Sequence, residues 1–247
     1  MSFQKKKSVW SRLDPFTYVE EYAMPLLNPW NNEILSWIIY IAFSFLFAYL
    51  LYALFGFVLQ TASPLVIVVS GSMLPTLARG DVVLLQGIDG ISLDAPEVVL
   101  DGIDVSHSSL QDLADIQLLP SGEWRIEFKG TNQTILVPPR GTSNIVVYAS
   151  SYKNIEIIHR AVVKIMSDGQ YYLLTKGDNN PSLDQDCGDV STKYFPEESA
   201  IHTITQKSCP SPYPVPLSDV KGKALFWIPF IGYVKLVIVD GIPSFFR

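Results

Sequence analysis

The chain has 247 residues, 48% of them hydrophobic, with a formal net charge of −6 and two cysteines. That length accommodates a membrane anchor and one well-buried domain, and the acidic balance argues against nucleic acid as a partner. Two cysteines without a nearby histidine pair exclude a zinc site, and neither metal nor other cofactor is expected.

Residues 1–33 carry Lys5, Lys6, Lys7 and Arg12 and are expected in the cytoplasm, because flanking Lys and Arg set the orientation of the span that follows. Between Ile34 and Gln60 there is no charged residue, and nearly every position is Ile, Leu, Phe, Tyr, Ala or Val. About 20 such residues cross a bilayer as a helix, so residues 34–60 are expected to form a retained transmembrane signal anchor. A cleavable signal peptide would be shorter, nearer Met1 and followed by a small-residue cut site. The next charge is Arg79, which places residues 61–247 outside, where 14 Lys and Arg face 20 Asp and Glu. Cys187 and Cys209 both fall on that side. A disulfide would persist there, although sequence alone leaves a bridge and two free thiols equally open.

Past the anchor the pattern changes to short strands. Pro64 to Ser70 and Asp81 to Gln86 are β-branched runs separated by turn residues around Pro75 and Gly80. Trp124, Ile126 and Phe128 alternate with Arg125, Glu127 and Lys129, as in a half-buried strand. Asn144 to Ala149, Ile155 to Ile165 and Gln170 to Thr175 continue the series. The fold class expected is all-β, a mixed β-barrel-like domain with one N-terminal transmembrane helix. Residues 87–143 read as an acid-rich elaboration, with a short helix around Ser109 to Leu118 and a glycosylation sequon at Asn132. Residues 224–247 are expected to lie against the membrane as a strand plus an interfacial segment, with Trp227, Phe230, Tyr233, Phe245 and Phe246 as anchors. Ordinary core packing is the competing reading. Pro229, Gly232 and Lys235 weigh against a second span.

Three segments carry candidate chemistry. In Ser70-Gly71-Ser72-Met73-Leu74-Pro75 a strand ends at a glycine that permits a sharp turn, which can present a hydroxyl and a backbone N–H at a sheet edge. Without a partner this triplet is only a turn. His159 lies in a regular strand, with Ile157, Ala161 and Val163 expected on its face, and a neutral imidazole held there can take a proton from a serine. A lone His on an apolar face is otherwise a core residue. His107 is expected to be solvated, and His202 lies in no regular strand. Lys176-Gly177-Asp178-Asn179-Asn180-Pro181 is a tight turn of side chains that hydrogen-bond backbone. One carboxylate in or just after it could orient His159, and residue physics leaves Asp178, Asp184 and Asp186 open.

Together these segments resemble type I signal peptidases, in particular the archaeal and endoplasmic-reticulum branch. Ser-Gly-Ser-Met-x-Pro, then Arg79-Gly80-Asp81, His159-Arg160, Lys176 to Pro181 and Gly222 to Gly232 occur in the family's order. The resemblance implies Ser72 as nucleophile and His159 as general base, where the bacterial branch has a lysine. It implies Asp184 as the acidic partner, Asp178 as a residue shaping the site, and Ser70 as an aid to the oxyanion. Lys164 and Lys176 are left as possible bases, although neither aligns with the bacterial lysine, and both are otherwise expected to be solvated strand charges.

The implied substrates are signal-peptide-bearing preproteins with small residues at the first and third positions before the cut. Implied partners are the lipid bilayer and the secretion translocon or accessory subunits. The expected location is an archaeal-type plasma membrane, with the endoplasmic reticulum as the alternative. Ser72 follows the span by about a dozen residues, each reaching at most about 3.5 Å, so it must stay near the membrane surface. Rival readings are a peptidase for one specialised precursor, a non-catalytic subunit of a processing complex, and an adhesive β-domain.

Overall fold

The computed structural model describes residues 14–187 and 209–240. Lys5, Lys6, Lys7, Arg12, His202, Phe245 and Phe246 lie outside the described residues. The chain divides into two units, Met1–Val58 and Leu59–Arg247.

In the first unit the main element is helix α1, Glu33–Leu59. At about 1.5 Å per residue it is about 40 Å long, more than the thickness of a bilayer core. Its mean hydropathy reaches 2.3 over an 18-residue window, and no residue of that window is buried in protein. Asn32 caps the start, its Oδ1 accepting from Leu35 N–H at 3.1 Å. The Asn28 side chain reinforces the cap by donating to the Asn32 carbonyl at 2.7 Å.

The second unit is mostly β. Strands β1 (Leu65–Ile67), β2 (Val82–Gln86), β3 (Glu97–Val99), β7 (Ile145–Ser150), β8 (Ile155–Ser167), β9 (Gln170–Lys176), β10 (Val215–Pro216) and β11 (Val220–Ile228) share one sheet. The order is β1-β2-β11-β7-β8-β9-β10, all antiparallel, with β3 pairing parallel to β8. Among the described residues this path stays open at β1 and β10, so the pairing does not close into the barrel that the sequence suggested.

Residues 87–143 are more structured than an elaboration of turns. The expected helix at Ser109 to Leu118 is one capped turn, α2 (Leu110–Leu113), which gives way to strand β4 (Ala114–Leu118). Ser109 and Asp112 form a reciprocal capping box, but a four-residue helix has no interior to extend. Strand β4 pairs with β5 (Trp124–Phe128), which pairs with β6 (Thr134–Val137). Trp124, Ile126 and Phe128 are buried and Arg125 and Glu127 exposed, as the alternation requires. These side chains join Val98, Ile165 and Leu174 in one apolar cluster, so the small sheet shares its core with β3, β8 and β9. Asn132 is exposed.

Strand β8 departs from its sequence reading. Its pairing with β9 shifts between Ala161 and Val163, a bulge that breaks the period of two. Ile157 and Ala161 therefore pack with Tyr148 and Leu173, whereas Val163 packs in the cluster around Trp124. The C-terminal region is strand β11 followed by helix α3, Tyr233–Asp240. Leu225 to Ile228, Phe230, Ile231 and Val234 are exposed. Tyr233 instead packs against Gly80, where a Cβ would come within 2.4 Å of its ring.

Cys187 and Cys209 are joined by a disulfide, with Cα atoms 4.9 Å apart. The bridge closes a loop of 22 residues and ties the strand-forming segment after Cys209 to the segment ending at Cys187. A loop of that size restricts the unfolded chain by about 3 kcal/mol. Reduction of the wild type is expected to lower its thermal midpoint by several degrees, with no further change in a Cys187→Ser/Cys209→Ser variant. Differential scanning fluorimetry with and without reductant checks this.

Candidate active site

The Ser72 segment is fixed from both sides of the chain. Met73 and Leu77 are fully buried, packed with Val68, Val83 and Leu85. With these two side chains sunk into the core, Ser72 is held half-buried at the end of the run that follows β1. The Ser72 carbonyl accepts from Asn179 N–H at 2.8 Å. Asp81, at 3% exposure, binds back to this segment by accepting from Ala78 N–H at 2.8 Å.

His159 reaches Ser72 from β8, with Nε2 3.0 Å from Ser72 Oγ. Its Nδ1 lies 2.5 Å from Asp184 Oδ2. The imidazole is 4% exposed and Asp184 1% exposed, so both exchange water for protein partners. A buried carboxylate needs such partners, and Asp184 Oδ2 also accepts from Thr175 Oγ1 at 2.7 Å and Tyr148 Oη at 3.0 Å. Burial and the adjacent Asp184 charge push the Tyr148 hydroxyl far above the usual phenol range, which keeps it a donor. Asp184 is set in place by its own N–H, which donates to the Thr175 carbonyl at 2.8 Å. Ser70 Oγ lies 3.1 Å from Ser72 Oγ.

The three open carboxylates thus take different places. Asp178 receives Arg160 Nε at 2.8 Å and Arg160 NH2 at 2.7 Å in a forked pair, and Thr76 Oγ1 at 2.6 Å. Asp186 accepts from Gln111 Nε2 at 3.2 Å. Only Asp184 meets the histidine. Tyr148 and Thr175 are the contributors that sequence reasoning missed. Tyr148 reads as an ordinary strand aromatic, and Thr175 as the residue before a turn motif.

Lys164 and Lys176 are buried, against the expectation of solvated charges. Lys164 Nζ donates to the Gly90 carbonyl and pairs with Glu97, both at 2.8 Å. Lys176 Nζ donates to the carbonyls of Pro139 and Gly177, both at 3.1 Å. Burial pushes the Lys176 ammonium below its usual range, against the opposing charges of Asp178 and Asp184. His107 is exposed, as expected, and hydrogen-bonds Asp104.

Beside Ser72 and His159 lies a cleft of about 240 Å³ lined by Val66, Val69, Val147, Ile155, Ile157 and Ile158, among others. Its walls are mostly branched aliphatic side chains, which suit small apolar groups. The set has the parts for acyl transfer: a hydroxyl, an imidazole in contact with it, and a carboxylate orienting the imidazole. Among the described residues no group of His, Cys, Asp or Glu could hold a metal ion.

Burial pushes the Asp178 carboxyl up, but the hydrogen bonds from Arg160 and Thr76 and the charges of Arg160 and Lys176 outweigh it. The net effect is a value below the usual range. A depressed folded-state value means that Asp178 contributes stability at neutral pH, lost as pH falls through that value. Asp178→Asn breaks the pair and is expected to cost about 3 kcal/mol at pH 7. The gap from wild type should narrow below about pH 4, as read by chemical denaturation across a pH series.

No family model matches the chain. Among curated proteins it is similar to the signal peptidase complex catalytic subunit sec11 of Schizosaccharomyces pombe, 28% identical over 193 residues, or 78% of this chain and 76% of that protein. The subunit of the same name from Colletotrichum graminicola is 25% identical over 193 residues, 78% of this chain and 74% of the relative. That of Scheffersomyces stipitis is 24% identical over 202 residues, 82% of this chain and 81% of the relative.

Proposed function

We propose that the chain is a membrane-bound serine endopeptidase that removes N-terminal signal peptides from preproteins, with Ser72 as nucleophile, His159 as general base and Asp184 as its orienting acid. The observation that carries this reading is the continuous contact from Ser72 Oγ through His159 to Asp184, at 3.0 and 2.5 Å. Support comes also from relatives that are named catalytic subunits of a signal peptidase complex.

In this mechanism Ser72 Oγ attacks the carbonyl after the signal peptide while His159 Nε2 takes its proton. The Ser72 N–H and the Ser70 hydroxyl stabilise the tetrahedral oxyanion, a good donor contributing about 3 to 4 kcal/mol. The imidazolium then protonates the leaving amine, the C–N bond breaks, and water releases the acyl-enzyme by the same route. Asp184 holds the imidazole in the tautomer whose Nε2 is free to accept. The branched aliphatic wall of the cleft admits small side chains before the cut and excludes larger ones by volume.

We assign residues 1–33 to the cytoplasm, 34–60 to the membrane and 61–247 to the far side. A 27-residue helix whose most apolar 18-residue window has no residue buried in protein supports this division. The exposed side chains of Leu225 to Ile228, Phe230, Ile231 and Val234 support a membrane-apposed C-terminal segment. The named relatives are fungal, which favours the endoplasmic-reticulum membrane over the plasma membrane, and accessory subunits over action alone.

Cleavage of a model preprotein by the lipid-reconstituted chain tests the reading, with the product identified by N-terminal sequencing. Wild type is expected to cut after a small residue, and Ser72→Ala and His159→Ala to lose at least about 10³-fold in rate while remaining folded. Equal cleavage by wild type and Ser72→Ala would exclude the nucleophile. Thr175→Val, which removes one donor to Asp184, is expected to lower kcat about ten-fold with little change in KM. Single-turnover kinetics read that effect directly.

A further inference from the structure

The Asn179 turn touches the nucleophile segment at its backbone carbonyls, and the mechanism above gives it no role. Asn179 N–H donates to the Ser72 carbonyl at 2.8 Å. Its side-chain Nδ2 donates to the Gly71 carbonyl at 3.2 Å. One residue therefore bonds the carbonyls of both peptide units that flank the nucleophile, sharing the Gly71 carbonyl with Leu74 N–H, which donates to it at 3.2 Å.

Both of those peptide bonds are trans. In a planar trans unit the C=O and N–H point in opposite directions. Holding the Gly71 carbonyl toward Asn179 aims the Ser72 N–H away from it, and holding the Ser72 carbonyl aims the Met73 N–H away as well. The approach is close enough to require glycine at residue 177, where a Cβ would come within 2.7 Å of the Ser72 carbonyl oxygen. The turn itself is braced by Asn180 N–H, which donates to the Gly177 carbonyl at 3.0 Å, and by Lys176 Nζ on the same oxygen.

We infer that Asn179 is a positioning residue that fixes the direction of the Ser72 N–H as oxyanion donor, acting through the carbonyls of Gly71 and Ser72. The inference rests on the serine-nucleophile reading and specifies how its oxyanion site is held. Orientation of a donor matters because a backbone N–H stabilises the developing charge only if it points at the position the oxyanion will occupy.

The test is the rate of Ser72 labelling by a fluorophosphonate, followed by intact-mass spectrometry on the full chain in lipid. Ser72 Oγ forms a bond to phosphorus, the P–F bond breaks, fluoride leaves, and the serine proton passes to His159. This reaction uses the same N–H and needs no signal peptide. Asn179→Ala keeps the backbone donor and removes Nδ2. Asn179→Asp keeps the shape but sets an oxygen against the Gly71 carbonyl.

The expected order of maximal labelling rate is wild type above Asn179→Ala above Asn179→Asp. The last should be about 30-fold slower than wild type, with half-saturating reagent concentration unchanged, since a misdirected donor loses part of the effect of a deleted one. A residue needed only for its shape would reverse the two variants, and that order overturns the inference. Equal rates in all three overturn it too, while leaving the nucleophile intact. Asn179-dependent labelling of a wild type that cuts no preprotein sustains the inference and sinks the signal-peptide reading. A folded wild type that does not label at Ser72 overturns both.

Discussion

A carboxylate at 1% exposure cannot be left without donors, and Asp184 is the constraint on which the second unit is organised. Its Oδ2 draws three groups to one point: Thr175 at the end of β9, Tyr148 from β7 and His159 from β8. Those strands are neighbours in the sheet order β7-β8-β9, so the sheet delivers all three side chains to one place. The imidazole is thereby held with its remaining nitrogen on Ser72. Loss of any one donor leaves the others to carry a desolvated charge, which makes the site a cooperative unit.

A second charge centre lies alongside and has a different task. The Asp178–Arg160 pair engages Thr76 on one side and the Ser143 carbonyl on the other, so it ties the Ser72 segment to the segment before β7. Arg160 follows His159 directly, and the strand alternation sends the two side chains to opposite faces. One strand thus sends one residue to the candidate site and the next to an architectural ion pair.

Much of this was legible in the residues, and the parts that were not have physical reasons. The alternation over Trp124 to Phe128 needs only a period of two, and β5 follows it. The same rule misplaces Val163, because a bulge changes which face follows Ala161 and leaves no mark in composition. Strands β3, β4 and β6 are short, and β3 pairs with residues distant in sequence, Lys164 to Met166 of β8. Lys164 and Lys176 look like solvated charges because their partners are mostly backbone carbonyls, invisible in sequence. Asp184 could be chosen over Asp178 and Asp186 by resemblance but not by residue physics, since all three lie in or just after one turn, within nine residues, and differ only in what the fold brings to them.

The Arg79-Gly80-Asp81 turn, close in sequence to Ser72, is completed by the far end of the domain. Asp81 Oδ1 accepts from Phe230 N–H at 3.2 Å, and Gly232 N–H donates to the Gly80 carbonyl at 2.8 Å. The first of these contacts spans 149 residues. During synthesis, at about 5 to 20 residues per second, that separation corresponds to roughly ten seconds or more in which the serine segment exists without its supports. Ser211, whose N–H donates to the Asp184 carbonyl, also arrives late. A nascent chain therefore has no assembled site until its last segment emerges, and under the proposed function the order of translation itself delays the onset of proteolysis.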